Sequence, residues 1–294
     1  MESISVILPA KNESAALKSL LPELKRMMPN AEIIVVDDGS TDDTVALCGT
    51  HQVRVASHPY SKGNGAAIKT GARAARGETL IFMDADGQHK PEDIPRLLEK
   101  LTEGYDMAVG ARDRSSQAGT HRAIANGVYN RMASWMVGQH VKDLTSGFRA
   151  VNAVKFRKFL YLLPNGFSYP TTITMSFFRA GYGVAYVPIQ APQRIGKSHV
   201  NLVRDGVRFF LIILKIGTLY SPQKLFLPIS LSFFLTGTCY YLYTFLTIHR
   251  FTNMSALMFI TSILTFLIGL VSEQVSSLHY KDIDNAGTND ARPE

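Results

Sequence analysis

The stretch Leu80-Ile-Phe-Met-Asp84-Ala85-Asp86-Gly-Gln88-His-Lys-Pro91-Glu-Asp93 decides how the rest of the chain is read. Leu80–Met83 is a short apolar run and predicts a buried strand. It ends on two carboxylates two residues apart. Pro91 suits the first position of a helix, and Glu92 and Asp93 are favourable in its first turn. Strand, acidic turn and helix start in immediate succession are the pattern of an α/β unit whose chemistry sits at the C-terminal end of the strand.

The same alternation extends both ways. On the N-terminal side, Ile4–Leu8 predicts a strand stopped by Pro9. A helix follows from Asn12 to Met28, with Leu17, Leu20, Leu21 and Leu24 on one side. Ile33–Val36 is a second strand, ending in Asp37-Asp38-Gly39-Ser40, and Val53–Ala56 a third. Ala66–Ala75 predicts a helix and Met107–Val109 a fifth strand. Beyond it come a helix over Arg122–Val137 and a loop over Asp143–Arg149. A helix near 170–180, a strand at Val184–Val187 and a polar loop at Gln190–Ser198 complete this half. The expectation is an α/β fold with a largely parallel sheet. No internal repeat or low-complexity tract interrupts it.

The C-terminal part has another character. Leu225–Ile248 and Phe251–Ser272 carry no formal charge, and only His249 and Arg250 separate them. Each run is long enough as a helix to cross about 30 Å of hydrocarbon. Two such spans with so short a turn predict a transmembrane hairpin with both ends on one side. The preceding stretch, 194–224, has six Lys or Arg residues against one acid, Asp205, and places that side in the cytoplasm. Arg204, Arg208 and Lys215 fall on one helical face beside Phe209, Phe210, Ile212, Ile213 and Ile216, as in a helix lying on a membrane. The expected organisation is a cytoplasmic catalytic domain over 1–198, an interfacial segment over 199–224, the hairpin over 225–272 and a cytoplasmic tail over 273–294.

The 294 residues are 46% hydrophobic and 19% charged, which excludes a disordered chain. The net charge of +7 is concentrated before the apolar tail and suggests an anionic membrane surface, not nucleic acid. Two cysteines, Cys48 and Cys239, exclude a disulfide framework or cysteine-rich zinc site and read as apolar fillers. The N-terminus has no secretory signal pattern.

Three motifs carry chemistry. Asp84, Asp86 and the amide oxygen of Gln88 form a hard oxygen set suited to Mg²⁺ or Mn²⁺ with positions left for phosphate. Asp37 and Asp38 end a second strand and can accept hydrogen bonds from a base or ribose. Gly39 permits the turn there, and Ser40 or Thr41 is the expected cap of the next helix. Lys62-Gly63-Asn64-Gly65 opens a helix whose N–H groups would attract phosphate. The first strand leads into Pro9-Ala-Lys-Asn12-Glu13 and not into a glycine-rich turn, which counts against a dinucleotide-binding dehydrogenase.

With Gly110-Ala-Arg112, Asp143-Leu-Thr-Ser-Gly-Phe-Arg149 and Gln193-Arg194-Ile-Gly-Lys197-Ser198, these motifs follow in an order that resembles the inverting family 2 glycosyltransferases of GT-A fold. The branch they resemble is the polyprenyl-phosphate glycosyltransferases, the group that includes dolichyl-phosphate mannose synthase. The resemblance covers about residues 3–200, and the two-span tail resembles bacterial and archaeal members. It implies that Pro9, Asn12, Glu13, Asp37, Asp38 and Ser40 line the nucleoside pocket, with Lys62 and Ala85 also on the donor nucleotide. Asp84, Asp86 and Gln88 are implied as metal ligands, and Arg112 as a phosphate ligand. Arg122 and Asn126, where the family often has serine, resemble an acceptor-phosphate pair. Arg149, Arg194, Lys197 and Ser198 resemble groups closing over the phosphates, with Arg149 and Ser198 on the acceptor side. Asp86, Arg122 and Asp143 are the expected catalytic groups, Asp143 orienting the acceptor or sugar more than acting as a base.

The implied reaction is inverting transfer of a sugar from a nucleoside diphosphate sugar to a polyprenyl phosphate. UDP-hexose or UDP-N-acetylhexosamine ranks ahead of GDP-mannose as donor. A processive polysaccharide synthase and a nucleotidyltransferase are the rival enzyme classes, and a nucleotide-binding membrane scaffold is the non-enzymatic one. The partners are the two substrates and the membrane, without nucleic acid; a homo-oligomer is compatible with the pattern.

Overall fold

A computed structural model describes residues 3–112, 120–166, 168–190 and 217–289, the side chains of 120–126 and 279–289 excepted. The chain forms two compact units, Met1–His199 and Val200–Glu294.

The first unit is built on a seven-stranded sheet: β1 (Ile4–Ala10), β2 (Glu32–Asp37), β3 (Arg54–Ser57), β4 (Thr79–Phe82), β5 (Met107–Arg112), β6 (Arg149–Asn152) and β7 (Val184–Ile189). Their spatial order is β3-β2-β1-β4-β6-β5-β7. The described helices are α1 (Ser14–Met27), α2 (Thr44–Thr50), α3 (Asn64–Ala74), α4 (Ile94–Thr102), α5 (Thr120–Val137), α6 (Ala153–Arg157) and α7 (Tyr169–Arg179), with a 3-10 turn at Pro91–Asp93 before α4. The sheet is covered on both faces, so the central strands are continuously apolar and not alternating. All four residues of β4 are buried, and so are most of β1 and β2. Helix α1 buries Leu17, Leu20, Leu21 and Leu24, the stripe expected from their spacing.

Four pairings are parallel, as the alternation predicted; the two made by β6, with β4 and β5, are antiparallel. The sequence reading placed Arg149 at the end of a loop and did not find this strand. Four residues between a loop and a short helix leave too little periodicity to separate strand from loop. Register then sets the site. Ala10 pairs with Asp37 and Ile7 with Phe82, so the C-terminal ends of β1, β2 and β4 lie side by side. The strand order reverses between β1 and β4, the switch point at which such sheets open a crevice.

The second unit is a helical hairpin, α8 (Pro222–Ile248) and α9 (Asn253–Asn289). Both are long and apolar enough to cross a membrane, over Pro222–Ile248 and Asn253–Leu278. His249 ends α8 in the left-handed region at φ 50°, and Thr252 Oγ1 accepts the Ser255 N–H at 3.3 Å near the start of α9. The seam is lined by small residues every seventh position: Ser230, Gly237 and Thr244 on α8, and Ser255, Ser262, Gly269 and Ser276 on α9, all buried. Ser230 Oγ donates to the Ser262 carbonyl and Ser262 Oγ to the Ser230 carbonyl, each at 2.9 Å. Small residues allow close helix approach, which substitutes for a hydrophobic driving force in lipid. This spacing is present in the sequence but was not read as a repeat. Residues 273–289, expected as a tail, continue α9 as helix. The outer faces are apolar and exposed, Cys239 among them, whereas Cys48 is buried in the first unit. The expected interfacial helix, at 204–216, lies outside the described residues.

Candidate active site

A cleft of 470 Å³ opens at the switch point. From β1 and its loop come Pro9, Ala10, Lys11 and Glu13; from the end of β4 come Asp84, Ala85 and Asp86. Asp38, Ser61, Gly63 and Asn64 form another wall, and Thr145, Gly147, Tyr169 and Pro170 close the last. Of the expected site residues, Pro9, Glu13, Asp38, Asp84, Ala85 and Asp86 line the cleft. Asn12, Asp37, Ser40, Lys62, Gln88, Arg112, Asp143 and Arg149 are not in its lining.

The acids at the end of β2 hold loops. Asp38 accepts four hydrogen bonds: from the His58 ring Nδ1 at 2.7 Å, Ser61 Oγ at 2.7 Å, Lys62 N at 2.8 Å and Gly63 N at 2.9 Å. Burial pushes its pKa up, but these donors outweigh burial and bring it down to about 2. The N–H groups of Lys62 and Gly63, expected to face a phosphate, are therefore satisfied by Asp38. Asp37 Oδ1 accepts the Ser40 N–H at 2.9 Å, and Gly39 makes the turn at φ 72°. Ser40 Oγ is not a helix cap; it accepts the Asn12 N–H at 2.9 Å. Thr41 is not one either: its N–H donates to Asn12 Oδ1 at 2.8 Å, while Asp42 Oδ1 serves the Thr44 N–H at 3.0 Å. Asn12, held at φ 56°, thus stitches the β1 loop to the β2 loop.

Asp84 and Asp86 are half-buried. Burial and then the neighbouring Asp86 charge raise the Asp84 pKa; His89, Arg112 and Arg149 oppose this. Gln88 is held near by its N–H, which donates to Asp86 Oδ1 at 3.1 Å. The donor set fits a hard cation in part. Two mutually repelling carboxylates face the cleft, but among the described residues no three acidic, His or Cys side chains are placed to share one metal ion. A bound Mg²⁺ or Mn²⁺ would take the remaining ligands from diphosphate and water. A Cβ on Gly147 would sit 2.8 Å from Asp84 Oδ2, so only glycine lets the loop come this close to the carboxylate.

The third wall is held from behind. Arg112, at the end of β5, grips Asp143 from Nε to Oδ2 at 2.9 Å and from NH2 to Oδ1 at 3.2 Å. Asp143 also accepts the N–H groups of Thr145 and Ser146 at 3.0 and 3.1 Å. Burial raises the Asp143 pKa, and the Arg112 hydrogen bonds and charge overcome that and hold it below the ordinary range. A depressed, saturated carboxylate is a poor general base. Arg149 is fully buried and does not present itself to an acceptor phosphate. Its guanidinium donates to the carbonyl of Ser146, to the Pro170 carbonyl at 3.3 Å and to Thr174 Oγ1 at 3.3 Å, joining the 143–148 loop to α7. The side chains of Arg122 and Asn126, and all of Arg194, Lys197 and Ser198, lie outside the described residues.

Three groups went unread in the sequence. Tyr169 and Pro170 reach the cleft from the start of α7. His89 is buried, stacks on Phe148 with ring centroids 5.0 Å apart, and accepts the Asp84 N–H at Nδ1 over 3.3 Å. Burial lowers its pKa against the pull of Asp84, consistent with a neutral ring. Its position directly after Gln88 was the available signal.

Comparison with known proteins places this geometry. The glycosyl transferase family 2 pattern matches residues 5–160, and the GtrB C-terminal hairpin matches 221–278. Polyprenol monophosphomannose synthase of Mycolicibacterium smegmatis is 31% identical over 222 residues, covering 69% of this chain and 83% of that protein. Undecaprenyl-phosphate 4-deoxy-4-formamido-L-arabinose transferase of Aeromonas hydrophila is 35% identical over 158 residues, 50% of this chain; the match spans 48% of that protein. Glucosyl-3-phosphoglycerate synthase from Mycobacterium tuberculosis, solved with Mn²⁺ and uridine-diphosphate-glucose, superposes with a TM-score of 0.59 at 23% identity over 74% of this chain and 78% of that one, a likeness of fold. The chain belongs to glycosyl transferase family 2, with a GT-A-like α/β domain followed by a GtrB-type C-terminal hairpin.

Proposed function

We propose that the protein transfers a sugar from a nucleoside diphosphate sugar to a polyprenyl phosphate at the cytoplasmic face of a membrane, with inversion at the anomeric carbon. One observation carries the reading: a cleft with Asp84 and Asp86 at its edge belongs to a chain whose other unit is an apolar hairpin. Relatives whose names specify undecaprenyl or polyprenol phosphate chemistry support the same acceptor class.

The diphosphate of the donor lies toward Asp84 and Asp86. Asp84 and Asp86, with the amide oxygen of Gln88, would hold a divalent ion there, which when bound would supply positive charge to the leaving diphosphate. The nucleoside occupies the wall of Pro9, Glu13, Asp38 and Asn64. The acceptor is a phosphate monoester, whose second pKa near 6 leaves it largely ionised at neutral pH, so no strong base is required. Asp143, gripped by Arg112, is a positioning residue that holds the Thr145–Gly147 wall through the N–H groups of Thr145 and Ser146. Arg122 and Asn126, one turn apart on α5, are assigned with Ser198 to the acceptor phosphate, and Arg194 and Lys197 to the donor diphosphate. Confinement to the bilayer surface reduces the entropic cost of bringing two substrates together.

The test is a donor panel on the detergent-extracted full chain with polyprenyl phosphate, reading the glycolipid mass. UDP-hexose, UDP-N-acetylhexosamine and GDP-mannose are its arms. A polyprenyl-phosphate sugar from one arm supports the reading; polymer without a lipid-monophosphate product indicates a processive synthase instead.

A further inference from the structure

Helix α5 has two faces of opposite character. Tyr129, Ala133 and Met136 are buried, and Tyr129 Oη donates to Thr171 Oγ1 of α7 at 3.0 Å, which fixes the side that meets the core. On the other side, at spacings of three and four, stand Val128, Arg131 and Trp135. Val128 is 61% and Trp135 51% exposed, and Trp135 is the chain's only tryptophan. Charge has one sign throughout this region. Residues 120–142 contain Arg122, Arg131 and Lys142, with His121 and His140, and no acid. Arg131, His140 and Lys142 are all exposed, whereas the next acid, Asp143, is buried against Arg112.

We propose that this face of α5 rests on an anionic lipid surface, with Val128 and Trp135 at headgroup depth and Arg131 and Lys142 on lipid phosphates. Tryptophan, an aliphatic residue and arginine on one exposed helical stripe are the composition of an interfacial helix. Cations without acids match the negative potential of an anionic lipid surface. A protein partner fits less well, since two apolar side chains ringed by cations fall far short of the roughly 800 Å² per partner of a stable interface. The proposal rests on the membrane-spanning reading of the hairpin, which restricts this unit to the neighbourhood of a bilayer, and is independent of the sugar transferred. Its consequence is that the helix carrying Arg122 and Asn126 lies at the level of a lipid-borne phosphate.

Trp135 supplies its own test. The full chain is placed in nanodiscs of phosphatidylcholine and phosphatidylglycerol, with or without bromine on the acyl chains, and its emission is recorded. Bromine quenches indole only at close approach. At least about a twofold loss of emission in brominated nanodiscs is expected for a side chain at headgroup depth. Val128→Asp, at an exposed position outside the cleft, is expected to restore much of that emission. Unquenched emission that iodide quenches freely places Trp135 in water and overturns the proposal. Emission resistant to both quenchers means that a protein surface, such as a second copy, covers the stripe, and also overturns it. A chain that fails to enter nanodiscs at all overturns the spanning hairpin and this proposal together, a result distinct from an inserted chain with unquenched Trp135.

Discussion

Arg112 and Asp143 hold each other through two hydrogen bonds, Nε to Oδ2 at 2.9 Å and NH2 to Oδ1 at 3.2 Å, with Asp143 almost wholly buried. The pair joins the end of β5 to the loop that presents Thr145 and Gly147 to the cleft. Asp143→Asn is expected to lower stability by about 2 kcal/mol, the scale of charge-assisted hydrogen bonds. Because the folded-state pKa of Asp143 is depressed, its contribution is full above the unfolded carboxylate range and is lost as pH falls through the depressed value. Melting of wild type and variant should therefore differ at neutral pH and converge in acid. The pH profile of turnover should show no basic group near neutrality that Asp143→Asn removes.

Asp38 anchors the loop from His58 to Gly63. Its pKa of about 2, against 3.8 unperturbed, corresponds to about 2 kcal/mol of stability, present above pH 3.8 and fading as pH falls toward 2. Asp38→Asn should lower the melting temperature of the solubilised chain at pH 7, with the gap closing below pH 4. Nucleotide affinity, measured by calorimetry, should fall because the released loop no longer forms one wall of the cleft.

Asp86→Ala should leave the fold intact, since Asp86 is half-buried and, among the described residues, its carboxylate holds no more than the neighbouring Gln88 N–H. Divalent-dependent turnover should fall by roughly a hundredfold or more, at least the cost of removing a group that merely supports a metal ligand. Calorimetric titration of Mn²⁺ in the presence of nucleotide checks the binding directly. Full metal-dependent activity in a folded variant excludes Asp86 as a ligand.

The hairpin makes a prediction of sidedness. In a chain whose Cys48 and Cys239 are replaced by serine, a cysteine at position 250 should react with an impermeant reagent added to intact cells. A cysteine at 290 should react only after lysis. The reverse pattern rejects the cytoplasmic placement of both ends.

Within the hairpin, Gly269→Val should cost about 1–3 kcal/mol, because a Cβ there meets Phe226 Cβ at 2.8 Å. Leu264→Val, on the 54% exposed outer face, should be close to neutral in the same melting assay.

The sequence by itself determined the alternation of strands and helices, the two acidic strand ends and the two uncharged spans. Each is a local signal: apolar runs of fixed length, a carboxylate pair next to a strand, a span with no charge. The Leu17–Leu24 stripe and the strand ending at Asp84 could be read without a partner in view. Tertiary structure decided the rest, because a side chain's role depends on what folds against it from far along the chain. Asp38 has the same residue type as Asp84, yet four donors from residues 58–63 saturate it, whereas Asp84 faces the cleft beside Asp86. Arg149 reads in the sequence as a cation for the acceptor phosphate, but the antiparallel entry of β6 between β4 and β5 carries it into the core against α7. Tyr169 and Pro170 become a cleft wall only because Arg149 and Tyr129 dock α7 there, through contacts between residues 21 to 42 positions apart that no local periodicity records.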